Sequence, residues 1–175
     1  METSEAFQGL VCTDCGSEFD ADVASGCPDC GAPLDPTYEY DLLDPTPEQL
    51  TGQPFASLWR YAELLPFAPP TAISASEGAT PVIDAPRLAD ELGVESVLIK
   101  DEGRNPTGTV LDRGMSIAVT AASEQNADLV ALASPGNSGQ SAAAYASRAG
   151  IRSYAFVPTR SPFSNKAMTN VHGGD

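Results

Sequence analysis

Positions 105–114 read NPTGTVLDRG, and the interpretation of this stretch decides the fold. It follows the apolar run VLIKDEG at 97–103, so it reads as a loop leaving the end of a strand. Asp112 is placed to cap a helix running to about Gln125, with Met115, Val119 and Ala122 on one face. Leu111 sits between two polar, turn-rich flanks, where a chemically active side chain is expected.

The surrounding segments alternate in the same way. Ala85–Leu92 predicts a short helix, with Pro86 early and Gly93 at its end. Glu95–Lys100 is a strand of the buried type. Asp128–Ala133 predicts another strand, Ser138–Ala149 an Ala/Ser-rich helix stopped by Gly150, and Ser153–Val157 a third strand. Such alternation implies an α/β fold with a parallel sheet, right-handed crossovers and flanking helices. The closing NKAMTNVHGGD reads as a turn-like stretch, and the sheet looks cut short there.

Upstream the character changes. All four cysteines fall in the first thirty residues, as Cys12-x2-Cys15 and Cys27-x2-Cys30 with eleven residues between the pairs. Each pair lets two thiolates meet one ion across a tight turn, and four thiolates complete a closed tetrahedral Zn²⁺ site. Gly16 and Gly31 follow the pairs where a left-handed backbone is often needed. A disulfide framework is the rival reading; the ribbon-type spacing and the absence of a secretory leader pattern oppose it. A redox pair is opposed by the doubling of the motif and the lack of a βαβ pattern around it. So short a segment buries little, which makes the metal the expected source of its stability.

Residues 33–54 are rich in Pro, Asp and Thr and read as a linker or arm. Phe55, Leu58, Trp59 and Leu65 then recur at helical spacing and predict a short packing helix. The resulting division is 1–36 as zinc ribbon, 37–75 as linker or arm with a short helix, and 76–175 as α/β unit.

The charge excludes some function classes. With 24 acidic and 9 basic residues the formal charge is −15, and only Lys100 and Lys166 are lysines. The acids are scattered, which reads as a solvated surface of the salt-adapted, halophilic kind and opposes binding to nucleic acid or anionic lipid. The ribbon carries Asp14, Glu18, Asp20, Asp22 and Asp29 and no cation, so its expected role is structural. No apolar run approaches the ~20 residues needed to span a bilayer, and no signal peptide is evident; a cytoplasmic location is expected.

The segment 131–150, ALASPGNSGQSAAAYASRAG, is a strand, a tight glycine-containing loop and a helix. The N–H groups at such a helix start can hold an anion. The loop lacks the spacing of a dinucleotide fingerprint or a Walker loop, misses a nucleophile elbow by one residue, and the lone His172 offers little for a serine triad. By itself it reads equally as a plain βα turn with Asn137 and Ser138 as caps.

Taken in order, Glu77-Gly-Ala-Thr-Pro81, Lys100-Asp-Glu-Gly103, Asn105-Pro-Thr-Gly108, Asp112-Arg-Gly114 and Ser134-Pro-Gly-Asn-Ser-Gly139 form a specific set. The set, over about residues 77–170, resembles the threonine synthase-like branch of the tryptophan-synthase-β-like family of pyridoxal-phosphate (PLP) enzymes. Some members carry a similar zinc ribbon in front. The resemblance implies a partial tryptophan-synthase-β-like PLP fold. It also implies PLP as cofactor and an amino-acid phosphate as substrate, with O-phosphohomoserine and water giving threonine and phosphate. It places Asn137 beside the PLP ring hydroxyl, and Ser134, Ser138 and Gly139 in the loop that holds the substrate carboxylate.

In the family pattern Gly-Ser-Phe-Lys-Asp-Arg-Gly, the lysine forms the Schiff base, and it falls on Leu111 here. Leucine has no amine and can be neither aldimine partner nor base. Lys100 lies eleven residues upstream, in another part of the motif. Family members run to about twice this length, and their PLP-phosphate loop lies downstream. The expectation is therefore a chain with no catalytic residue at 111 and no activity alone. The alternatives are a non-catalytic zinc-ribbon binding or interaction module, a gene remnant, or half of a split protein that pairs with a complementary C-terminal half.

Overall fold

The computed structural model describes residues 3–22, 26–52 and 57–175. Phe55, one of the expected packing positions, lies outside them.

Three strands form the N-terminal unit: β1 (Phe7–Cys12), β2 (Glu18–Phe19) and β3 (Leu34–Tyr38). They pair antiparallel in the order β2-β1-β3. The arm expected at 33–54 is thus partly regular: it supplies β3 and the helix α1 (Pro47–Gly52). Thr46 caps α1 reciprocally with Gln49, whose side chain accepts from the Thr46 N–H at 2.7 Å.

The packing helix expected at 55–65 is instead a 3₁₀ segment over Leu58–Leu64, broken at Tyr61. Ser57 starts it by accepting from the Trp59 N–H at 3.2 Å. Trp59 is buried with Leu65 and Phe67, and Ile117 and Ala121 of the next long helix pack against them. The indole N–H reaches Ser116 Oγ at 2.8 Å. That bond satisfies a donor that burial would otherwise strand.

Next come β4 (Val82–Asp84), α2 (Pro86–Leu92) and β5 (Leu98–Lys100). Pro86 opens α2, and Gly93 closes it in the left-handed region at φ 67°. β5 is shorter than the expected 95–100 strand and pairs antiparallel with β4, not parallel. It is also not of the buried type: Val82, Ile83, Leu98 and Ile99 are all exposed.

The remaining elements are α3 (Leu111–Glu124), β6 (Leu129–Ala133), α4 (Asn137–Ala149), β7 (Arg152–Phe156) and α5 (Phe163–Val171). β6 and β7 are parallel, with α4 as their crossover. Gly150 ends α4 at φ 72°. Gly139 lets α4 sit close on the sheet, because a Cβ there would lie 3.1 Å from the Ala155 Cβ. α5 corrects the reading of the last stretch as turn-like. The buried face of α3 is Asp112, Ser116, Val119 and Thr120, largely polar, with Met115 and Ala122 only half-buried. Thr120 Oγ1 accepts from the Ile73 N–H at 2.9 Å, and Ser116 Oγ donates to the Ile73 carbonyl at 2.8 Å, so hydroxyls dock the arm on this helix. Among the described residues no helix is long and apolar enough to cross a membrane.

Candidate functional site

The cysteines converge as their spacing predicts. Their four Sγ atoms all lie within 4.8 Å of one another, with Cys12–Cys30 at 3.4 Å and Cys15–Cys27 at 3.6 Å. None is in a disulfide. Gly16 and Gly31 have φ of 73° and 78°, which closes each knuckle. The backbone N–H groups of Cys15 and Asp14 point at Cys12 Sγ, both at 3.4 Å, and draw that thiol down to about 6. At Cys30 the Ala32 N–H acts the same way, but crowding by the other thiols and burial win and push it up to about 12. Four sulfurs this close repel one another as thiolates unless a cation sits between them. Edges of about 3.8 Å are what a Zn–S bond of about 2.3 Å requires of a tetrahedron. The four cysteines form a cluster able to hold a metal ion.

The second candidate lies where the 105–114 loop meets the start of α4. A strained turn sets it up: Ser76, Gly78 and Ala79 have φ of 69°, 95° and 49°. A Cβ on Gly78 would lie 2.8 Å from the Leu58 nitrogen, so only glycine fits the approach. The Gly78 N–H donates to Asn105 Oδ1 at 2.9 Å, and Asn105 Nδ2 donates to Glu102 Oε2 at 2.9 Å. Glu102 also accepts from Thr80 Oγ1 at 2.7 Å and from Arg113 at 2.8 and 2.9 Å. Arg113 above all, then Thr80 and Asn105, hold the Glu102 carboxyl down at about 2. Glu102 in turn raises the Arg113 guanidinium.

Asp112 does not cap α3; it lies in the first turn, fully buried. Its carboxylate accepts from Thr107 N at 2.7 Å, Thr107 Oγ1 at 2.6 Å and Ser141 Oγ at 2.5 Å. Gln140 Nε2 reaches the Thr107 carbonyl at 2.5 Å. These bonds lock the loop to α4. Asn137 Nδ2 faces Thr109 Oγ1 at 3.5 Å, so the structure brings the predicted Asn137 to the loop that carries Leu111. Ser134 is buried and accepts from the Gly136 N–H at 3.2 Å. Ser138 is half-buried, and Gly139 is buried against the sheet. Gly136, not Asn137 or Ser138, is the N-cap of α4, and no side chain caps its first turn.

A third network escaped the sequence reading. Glu77 is fully buried and accepts from Tyr145 Oη at 2.8 Å, the Ala75 N–H at 2.9 Å and Ser74 Oγ at 3.1 Å. Burial first, then Glu77, push the Tyr145 hydroxyl far up, so it stays a donor. The one signal for it was a lone tyrosine in an Ala/Ser helix.

Leu111 opens α3 and is 37% exposed. Its hydrocarbon side chain does not fit covalent attachment of an aldehyde cofactor. Lys100, at the end of β5, is engaged by the β4 side: its Nζ donates to the Thr80 carbonyl at 2.5 Å and to Thr80 Oγ1 at 2.6 Å.

Parallel β6-α4-β7, the uncapped α4 start and the loop locked beside it form a partial α/β unit. The chain belongs to the family of pyridoxal-phosphate dependent enzymes, whose pattern it matches over residues 73–175. It is 37% identical to the threonine synthase of Methanosarcina acetivorans over 166 residues, 94% of this chain and 40% of that protein. It is 37% identical to the threonine synthase of Methanocaldococcus jannaschii over 149 residues, covering 84% and 37% of the two. The chain thus spans about two fifths of the length of these two relatives. Among solved structures, it is similar to O-ureido-L-serine synthase, with TM-score 0.54 and 28% identity over 59% of this chain and 34% of that one. Threonine deaminase isoform 2 from Solanum lycopersicum matches with TM-score 0.50 and 29% identity, over 55% and 26%.

Proposed function

We propose that this chain is a threonine synthase-like part of a PLP-dependent enzyme, silent in catalysis on its own. The observation that carries this is Leu111 at the first position of α3, two residues after Thr109, which faces Asn137. The loop, its buried anchor Asp112 and the α4 start are retained, while the amine that would form the Schiff base is absent. In this reading Asn137 lies beside the cofactor ring, and Ser134, Ser138 and Gly139 form the carboxylate-holding turn. The substrate class is an amino-acid phosphate, and the family chemistry is release of phosphate with addition of water. PLP supplies an electron sink when bound; this chain's residues offer it polar contacts without a covalent tether.

Residues 1–36 act as a ribbon held by structural Zn²⁺, 37–75 as the arm, and 76–175 as the cofactor-type unit, in a cytoplasmic, salt-adapted protein. Lys100, held by Thr80, supports the alternative: a non-catalytic module, or one part of a split enzyme completed by a complementary C-terminal part.

The test is spectroscopic and kinetic. Wild type mixed with PLP should show no imine absorption band and release no phosphate from O-phosphohomoserine. Leu111→Lys should gain at most weak, reversible imine absorption and still release none, because positioning of the reacting atoms can be worth ~7–11 kcal/mol of barrier. Phosphate release by Leu111→Lys alone would show that the 175 residues suffice. Release by wild type supplied with the rest of a related enzyme would show that the leucine is no obstacle.

A further inference from the structure

The close sulfur contacts of the ribbon run from one knuckle to the other. Cys12 Sγ lies 3.4 Å from Cys30 Sγ, and Cys15 Sγ lies 3.6 Å from Cys27 Sγ. Each contact joins a buried cysteine to an exposed one: Cys12 and Cys27 are buried, whereas Cys15 and Cys30 are open to solvent. The pairs are nested in the sequence, 12 with 30 and 15 with 27, so both can close at once without threading the chain. A contraction of about 1.5 Å brings either pair to bonding distance.

Metal ligation keeps such sulfurs as thiolates, and the thiolate is the nucleophile. The surroundings select the electrophile. Asp14 and Asp29 are exposed and adjoin Cys15 and Cys30 in the chain, and Glu18, Asp20 and Asp22 are exposed on the same ribbon. Residues 1–36 contain no Lys or Arg. Such a surface repels an anionic oxidant, such as glutathione disulfide, and does not repel a small neutral hydroperoxide.

We infer that the ribbon cysteines form a reversible oxidation site for small neutral hydroperoxides, in which each exposed thiolate reacts first and its buried partner on the other knuckle resolves it. The inference rests on the reading above that the ribbon holds Zn²⁺. In the first step the Cys30 or Cys15 thiolate attacks a peroxide oxygen. An S–O bond forms, the O–O bond breaks, and the sulfur gives up two electrons to become a sulfenic acid. The departing oxygen takes a proton from solvent. In the second step the Cys12 or Cys27 thiolate attacks that sulfur. The S–S bond forms, the S–O bond breaks, and the hydroxide leaves as water after taking a second proton. Each pair consumes one hydroperoxide and two protons. The first disulfide removes two of the four ligands, which destroys the closed tetrahedral set and releases the ion.

The test uses the 175-residue chain as purified, with its zinc measured first. Hydrogen peroxide should release one Zn²⁺ per chain, read with a chromogenic chelator, and two equivalents should consume all four thiols. Cleavage before aspartates puts the cysteines on four peptides, because Asp14 lies between Cys12 and Cys15 and Asp29 between Cys27 and Cys30. Mass spectrometry should then find Cys12 joined to Cys30 and Cys15 joined to Cys27. A dithiol with added zinc should restore both thiols and metal. Glutathione disulfide at the same concentration should act about tenfold or more slowly. Zinc retained in excess peroxide, irreversible sulfinic acids, or an equal rate with glutathione disulfide overturns the site. Links within a knuckle in zinc-loaded protein also overturn it, while the metal reading stands. The expected links in protein isolated without zinc uphold the pairing and remove the metal reading.

Discussion

Ser141 Oγ donates to Asp112 Oδ1 at 2.5 Å, joining the middle of α4 to the first turn of α3. Both residues are fully buried, and Thr107 completes the carboxylate's partners from the loop between β5 and α3. One acidic side chain therefore fixes the loop that leads into α3 against the helix bearing Asn137.

Ser141→Ala should destabilise the α/β unit by about 1–3 kcal/mol, the cost of removing one partner from a buried acceptor. Urea unfolding followed by circular dichroism reads it as a lower midpoint at unchanged slope. A midpoint unchanged from wild type would mean that water replaces the hydroxyl.

Zinc should be held at one ion per chain. Cys12→Ser should release it and open the β1–β3 amides to exchange. Trp59, the only tryptophan, should keep a blue-shifted emission, because Ser116 on α3 holds it. The ribbon meets the arm through the β1–β3 ladder, the Ser4 N–H to Pro66 carbonyl bond at 3.3 Å and the Thr3–Phe67 bridge, and Trp59 makes none of these bonds. Zinc below one equivalent with four reactive thiols in wild type would remove the metal site.

Acid should weaken the protein in a defined window. Glu102 ordinarily titrates near 4.5 and is held at about 2 in the fold, chiefly by Arg113. A depressed carboxyl stabilises the fold fully above its unfolded value, and that contribution fades as pH falls from about 4.5 through about 2. Glu102→Gln should lower stability at pH 7 and flatten the decline across this window. Thermal melts at half-unit steps of pH measure both.

Salt should stabilise. A net charge of −15 repels itself more strongly as the Debye length grows from ~3 Å at 1 M to ~30 Å at 0.01 M. The melting temperature should therefore rise as salt is raised from ~0.01 M to ~1 M, and a flat response would count against a salt-adapted surface.

The knuckles, α2 and α4 were legible because their signals are local: cysteines three apart, Pro86 at a helix start, Gly93 and Gly150 at helix ends. The parallel β6-α4-β7 unit followed from apolar runs spaced by a helix. The sequence alone also determined that position 111 carries no amine. Tertiary structure decided the rest. The antiparallel pairing of β4 with β5 depends on partners separated by a helix, and three-residue strands carry too little pattern to announce it. Asp112 looked like a cap because a cap and a buried acceptor are the same residue type at the same place; only Thr107 and Ser141 closing around it distinguish them. Glu77 and Tyr145 lie 68 residues apart, and no periodicity links them. A buried carboxylate is stable only where donors from distant segments converge, and that convergence is a property of the folded chain.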